Sequence, residues 1–201
     1  MAMNPSTLFS ALVLLAGVIA DKVPDFVAKG KCPSVNEHKL WAEQKSQHER
    51  FGGTWYQYAI TSNPYQLLDR CVRLQYDFNG SGFDAKAYGI TAEGNTLKRQ
   101  GQIAPMPLGD PHLMVAFDNS FPAPLVILDT DYDNYACLYS CMDYNFEYHS
   151  DFSFIFTRSP TPSSTYIKKC ETAFSNIGLD LSRFSKTVQG PRCPYNDLAR
   201  L

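Results

Sequence analysis

A chain of 201 residues with a formal net charge of −2 and no run of Lys or Arg offers little to nucleic acid or to an anionic membrane surface. Thirteen Phe and twelve Tyr are a large aromatic complement for this length, and they have to line a core, a pocket or an interface. Six Cys, an even number, point to three disulfides in an exported chain.

Export is read from residues 1–20. Leu8 to Ala20 is an uninterrupted weakly polar to apolar run, with Val18 and Ala20 at the small-residue positions before a cut. At about 13 residues it is too short to span a bilayer comfortably, and no Lys or Arg precedes it. The expectation is a secretory leader, residues 1–20, and a mature chain from Asp21. Residues 21–201 then fit one domain around a single core.

Residues 21 to 50 read as irregular, with Cys32-Pro33 and a short helical turn through Leu40-Trp41. Arg50-Phe51-Gly52-Gly53-Thr54-Trp55-Tyr56 follows. Its two glycines relieve the backbone where a loop turns tightly into a strand. Trp55 to Ile60 is rich in the aromatic and β-branched types that fit a pleated surface. A large aromatic after a Gly-Gly lead-in suits a plug at one end of a closed sheet; it equally suits an ordinary strand start in another β fold.

Strands are expected near 54–62, 70–78, 83–91, 95–104, 112–118, 124–131, 135–142 and 151–158. Asn79-Gly80-Ser81-Gly82 and Glu93-Gly94-Asn95 carry strong hairpin signals between runs. Eight short strands in series suggest an up-and-down barrel or a sandwich, and the lack of intervening helices argues against a parallel sheet. Asn63-Pro64-Tyr65-Gln66-Leu67-Leu68-Asp69 is too long for a hairpin turn and could fold over a barrel mouth. Thr161-Pro162 reads as an N-cap with Pro at the first helical position. Tyr166, Ile167, Cys170, Ala173, Phe174 and Ile177 then recur at helical spacing until Gly178 supplies the stop. The outer barrel wall is the surface available to that amphipathic helix. Leu179 to Leu201 reads as an irregular tail tied down through Cys193.

Phe-x-Gly-x-Trp at Phe51, Gly53 and Trp55 resembles the first signature of the lipocalins. Thr130-Asp131-Tyr132 at a turn and Arg158 at the end of Phe152 to Thr157 resemble the second and third. Three signatures in order, with a helix after the last strand, imply an all-β, eight-stranded antiparallel up-and-down barrel with a C-terminal helix on its wall. The resemblance further implies that Arg158 packs across Trp55 at the closed end. Such motifs are structural and do not name a ligand.

Cys137 and Cys141 share a strand at i and i+4, so they point to one face roughly 13 Å apart. A disulfide needs Cα atoms within about 7 Å, so they cannot pair with each other. Cys170 lies on the apolar helix face and takes one of them; the other takes a cysteine from an irregular segment. The lipocalin resemblance implies Cys32–Cys141 and Cys71–Cys193, which leaves Cys137–Cys170.

His38, His48, His112 and His149 are scattered, with no i, i+4 pair, and no Cys-x-x-Cys is present, so no metal site is expected. Asp129, Asp131 and Asp133 cluster at a turn, where solvated carboxylates are ordinary. Asn79-Gly80-Ser81 matches a glycosylation sequon at a hairpin tip.

Longer segments narrow the resemblance. Lys39 to Gln44, Asn63 to Leu67, Ala123 to Leu128, Tyr135 to Cys141, Tyr148 to Phe156 and Lys186 to Gly190 resemble the crustacyanins, carotenoproteins of crustacean shell, and in particular their C-type subunits. That resemblance implies a non-enzymatic binder of the ketocarotenoid astaxanthin, paired with an A-type lipocalin subunit, and a blue complex. Tyr65 and Gln66 in the mouth loop, Tyr76 on the second strand and His112 are the candidate polar contacts. His112 shares parity with Met114 and Ala116; that face is either the lumen or a surface at a strand end. In the crustacyanin-like reading His112 donates a hydrogen bond to a ring carbonyl. A bilin, retinoid or fatty acid is the alternative cargo. An acidic cargo needs a basic residue in the barrel, for which Lys86 and Lys98 are the obvious strand positions, both expected in solvent. A lipocalin-fold isomerase is the remaining alternative and needs a free activated thiol.

Overall fold

The computed structural model describes residues 26–35, 45–106, 112–144 and 147–201. The leader expected over residues 1–20, Asp21, His38 and the turn expected at Leu40-Trp41 lie outside the described residues. Among the described residues ten strands make one sheet: β1 (Val27–Lys29), β2 (Gly53–Thr61), β3 (Arg70–Phe78), β4 (Phe83–Ile90), β5 (Thr96–Pro105), β6 (Leu113–Phe117), β7 (Ala123–Thr130), β8 (Tyr135–Tyr144), β9 (Tyr148–Thr157) and β10 (Phe184–Lys186). From β2 to β9 each strand pairs antiparallel with the next, and β9 returns to β2 through Tyr56↔Thr157 and Ile60↔Phe154. Eight strands therefore close into a barrel, which removes the exposed edges an open sheet would carry.

All eight expected strands form. The two short outer strands were not expected: β1 lies on β9, and β10 lies on β2. A 3-10 segment, Lys45–Phe51, precedes β2 and turns through Gly52-Gly53, where Gly53 has φ +87. A Cβ on Gly52 would stand 2.9 Å from the Glu49 carbonyl oxygen, so the pair of glycines is sterically required.

The 3-10 end of the barrel is closed. Phe51, Trp55, Tyr76 and Phe83 are buried there, and the Trp55 indole N–H donates to the Phe51 carbonyl at 2.8 Å. The Arg158 guanidinium carbon lies 3.7 Å from the Trp55 ring centre, the cation–π contact the signature implies. Its Nε, Nη1 and Nη2 donate to the carbonyls of Tyr132, Thr54 and Arg50 at 3.0, 2.8 and 2.8 Å. One side chain thus ties the 3-10 segment, β2 and the β7–β8 turn together. Desolvation brings its pKa down to about 10, with Asp133 and Asp131 opposing the fall. In that turn the Asp131 carboxylate accepts from the backbone N–H of Asp133, Asn134 and Tyr135, and Thr130 donates to the Tyr135 carbonyl. Tyr132 takes φ +67 between them. The Thr-Asp-Tyr signature is a turn-building device.

Helix α1 (Ser164–Asn176) packs Ile167, Cys170 and Phe174 against Ala59, Tyr135, Cys137 and Ile155 on the outer wall. Its N-cap is Ser163, accepting from the Thr165 N–H, rather than the expected Thr161. Ser163 is extended (φ −64, ψ 141), so Pro162 falls before the cap and the helix starts two residues later. Gly178 ends the run with φ +79.

The disulfides are Cys32–Cys141, Cys71–Cys193 and Cys137–Cys170. They span 109, 122 and 33 residues in sequence. The chain-entropy relation assigns about 5 kcal/mol to each long loop and about 4 to the short one. No free thiol remains, so the nucleophile an isomerase would need is absent from the six cysteines.

The expected irregular tail is more ordered than its composition suggests. After a 3-10 turn (Leu181–Arg183), β10 joins the wall, and a short helix α2 (Tyr195–Leu198) follows. β2 pairs with β3 only through Gly53–Tyr56; beyond that point β10 takes the edge at Ala59–Thr61. Gln189 then donates to the carbonyls of Gln57 and Val72, at 2.9 and 2.8 Å, bridging the strands where their ladder has parted. Arg183 anchors the same tail on buried Asp151, at 3.0 and 2.6 Å.

Candidate binding cavity

The barrel opens at the end opposite Trp55, into a cavity of about 590 Å³. That lies within the ~300–1,000 Å³ typical of small-molecule sites. The lining is mostly apolar: Leu74, Val115, Phe117, Leu125, Leu138, Phe152, Phe154 and Phe156 face it from five strands. Strand alternation supplies most of this wall. A register shift between Gln57 and Ala59 breaks it on β2, so Gln57 and Ile60 both reach the cavity across three positions.

The loop over the mouth behaves as its length and composition suggest. Tyr65, Gln66, Leu67 and Leu68 all line the cavity. The Asn63 side chain accepts from the Tyr65 N–H at 2.8 Å, and Gln66 Nε2 donates to the Leu68 carbonyl at 2.7 Å, which fixes the loop on itself. The Tyr65 ring meets Phe152 edge-on at 6.5 Å. Tyr76 lines the deep part of the cavity and is itself buried, and desolvation pushes its phenol well above the ordinary value near 10.

Three of the four candidate contacts thus share one cavity: Tyr65 and Gln66 at the mouth, Tyr76 in the depth. His112 is placed differently. It immediately precedes β6 at the closed end, with its Nε2 buried, and is not among the wall residues. The β6 residues that face the lumen are Leu113, Val115 and Phe117. The lumen face read through Met114 and Ala116 is therefore corrected by one residue, because β6 begins with its first residue, Leu113, turned inward.

Sequence reading missed Gln57, Arg99, Ser140 and Tyr144, the other polar wall residues of the strands. Arg99 was legible: it shares parity with Leu97 and Ile103 on a strand whose span was expected. Lys86 and Lys98 lie elsewhere, Lys86 on Asp77 at 2.9 Å and Lys98 near the Tyr88 ring at 5.9 Å. Among the described residues no three His, Cys, Asp or Glu come together as a metal site. His149 instead meets the Gly30 carbonyl at 2.9 Å, holding β1 to β9.

The sequence profile of the Lipocalin / cytosolic fatty-acid binding protein family matches residues 52–190. The chain belongs to the lipocalin family. Among known lipocalins it is 60% identical to the crustacyanin-C1 subunit of Homarus gammarus, over 88% of this chain and 97% of that one. To the crustacyanin-A1 subunit of the same lobster it is 59% identical over the same shares. The solved structure of apocrustacyanin C1 superposes with a TM-score of 0.86 at 58% identity, covering 90% of this chain and all of that one.

Proposed function

We propose that this lipocalin is a non-enzymatic pigment-binding subunit that holds astaxanthin in its barrel and contributes to a blue shell colour. The observation that carries the reading is about 60% identity to crustacyanin subunits over nearly their whole length, in a chain whose barrel keeps an open apolar cavity. A long polyene suits the Phe, Leu and Val wall, and Tyr65 and Gln66 at the mouth suit a polar ring end. Tyr76 is the deep polar group for the other ring. His112, at the same closed end, is proposed as the donor to that ring's carbonyl. A donor to a conjugated carbonyl polarises the system and moves its absorption to longer wavelength.

The three disulfides support export after removal of residues 1–20, with residues 21–201 as the mature domain. Asn79 is exposed at the β3–β4 tip and is proposed as a glycan acceptor. The relatives are named as subunits, which supports pairing with an A-type lipocalin partner. Titrating the purified mature chain with astaxanthin tests the reading. The expected result is saturable binding with a red-shifted absorption band; a spectrum equal to that of free pigment at every ratio would sink it.

A further inference from the structure

A second cavity, of about 420 Å³, lies outside the barrel, between the first half of α1 and the β10 tail. Its size is again that of a small-molecule site. It has an apolar part in Tyr58, Pro162 and Ile167 and a charged part in Lys168, Lys186 and Glu171. The Lys186 ammonium stands 4.9 Å from the Tyr58 ring centre, held by the ring rather than by an acid. Among the described residues neither lysine has a carboxylate within ion-pair distance, Glu171 included. Thr187, also in the lining, is buried. Its hydroxyl accepts from the Gln57 amide at 2.9 Å, which uses a lone pair and leaves its own proton to donate. The described residues supply no acceptor for that proton. Gln57 belongs to the barrel wall, so the two cavities stand back to back across this bond.

We propose that this outer cleft is a second binding site, and that it takes an aryl sulfate, a flat ring carrying one sulfate monoester. The ring lies on Tyr58, Pro162 and Ile167, and the sulfate accepts from the two ammonium groups and the Thr187 hydroxyl. Lysines are point charges without the planar fork that matches a carboxylate, and a sulfate offers three acceptor oxygens to three separate donors. Glu171 opposes a second negative charge, so a monoanion suits the lining better than a phosphate monoester. The site is separate from the barrel cavity and is complete whether or not pigment is bound there.

The test titrates the purified mature protein with naphthyl sulfate, neutral naphthol and naphthyl phosphate, followed residue by residue through backbone amide NMR. The sulfate should shift the amides of Lys168, Lys186 and Thr187 and leave those of Leu138 and Phe154 in the barrel unmoved. At the cleft it should bind about tenfold or more tightly than naphthol, and more tightly than the phosphate. Lys168→Gln and Lys186→Gln should each weaken the sulfate by about three- to tenfold, and the pair together should erase its preference over naphthol. Both lysines are exposed, so these variants keep the fold. Lys169→Gln removes the same charge from the same helix outside the lining and should change nothing. Shifts confined to the barrel, equal binding of sulfate and naphthol, tighter binding of the phosphate, or a loss in Lys169→Gln as large as in Lys186→Gln would each overturn the proposal.

Discussion

The Gln57 amide donates to the Thr187 hydroxyl at 2.9 Å, a buried bond between the barrel wall and a residue 130 positions further on. It marks a seam. β2 and β3 part above Tyr56, and the tail from Phe184 to Gln189 fills the gap with a short strand, this bond and the two bonds from Gln189. The tail is therefore wall, and its loss should be felt in the barrel. Gln189→Ala removes two bonds to backbone carbonyls at about 1 kcal/mol each, which lowers Tm by roughly 2–10 °C. Gln189→Glu, which places an acceptor against the same carbonyls, should be worse than Ala at pH 7. Thermal unfolding of both variants checks the order; equal or unchanged midpoints would show the tail to be mere covering.

The three bonds from Arg158 to Arg50, Thr54 and Tyr132 make the closed end dependent on one planar cation. Arg158→Met keeps much of the stem over Trp55 and removes every donor. A loss of about 2–4 kcal/mol is expected, non-additive across the bonds, or roughly 5–15 °C in Tm. Arg158→Lys should recover little, since an ammonium cannot present the same fork. Denaturant melts of the two variants measure this directly, and a Lys variant as stable as wild type would refute the geometric argument.

How much of this was legible depended on the kind of signal. Runs of strand-forming residues separated by turn residues marked all eight barrel strands, and the i, i+4 spacing of Cys137 and Cys141 excluded their pairing from distance alone. The seam was not legible, because Phe184-Ser185-Lys186 is too short to show a period and finds its place only where β3 leaves β2. The cavity wall was partly legible. Tyr65, Gln66 and Tyr76 followed from loop length and strand position, whereas the shift at Gln57/Ala59 and the inward start of β6 at Leu113 are register facts that alternation alone does not reveal.

Burial raises the Tyr76 phenol far above its ordinary value near 10. It also raises Tyr135, beside Asp129, and Tyr139, beside Asp151. The unfolded chain releases these protons near pH 10 while the folded chain keeps them, so folding stability is whole below pH 10 and declines as pH rises beyond it. Spectrophotometric titration should find these tyrosines ionising only together with loss of the folded signal. Reversible ionisation of all twelve tyrosines in a folded protein would contradict the burial.

Deep in the cavity, Tyr76→Phe removes one hydroxyl and little volume. With astaxanthin bound, its absorption maximum should move toward that of free pigment, with affinity down about tenfold. His112→Leu should move the maximum in the same direction if this residue serves the ring carbonyl. An unchanged maximum in His112→Leu beside a shifted one in Tyr76→Phe would assign the deep ring to Tyr76 alone.

The mouth itself leads to the last prediction. Phe121 is 79% exposed at the β6–β7 turn, and Tyr65 and Leu67 are each 52% exposed on the loop opposite. Tyr144 and Tyr148 flank the β8–β9 connection on the same rim. An eight-residue strand tilted in a barrel gives a pocket on the order of 20 Å deep, shorter than a C40 carotenoid with a ring at each end. One ring must project, and its exposure costs about 25 cal/mol per Å² left in water. A second lipocalin mouth laid on this aromatic rim covers both ring and rim. The expected species is a heterodimer with an A-type subunit that assembles with pigment present. Because the identities to C1 and A1 differ by one percentage point, the chain should be mixed with each type in turn. Size-exclusion chromatography read at the pigment band should place the full colour shift in the heterodimer, and Phe121→Asp should weaken it. A monomer that carries the full shift unaided would overturn the pairing.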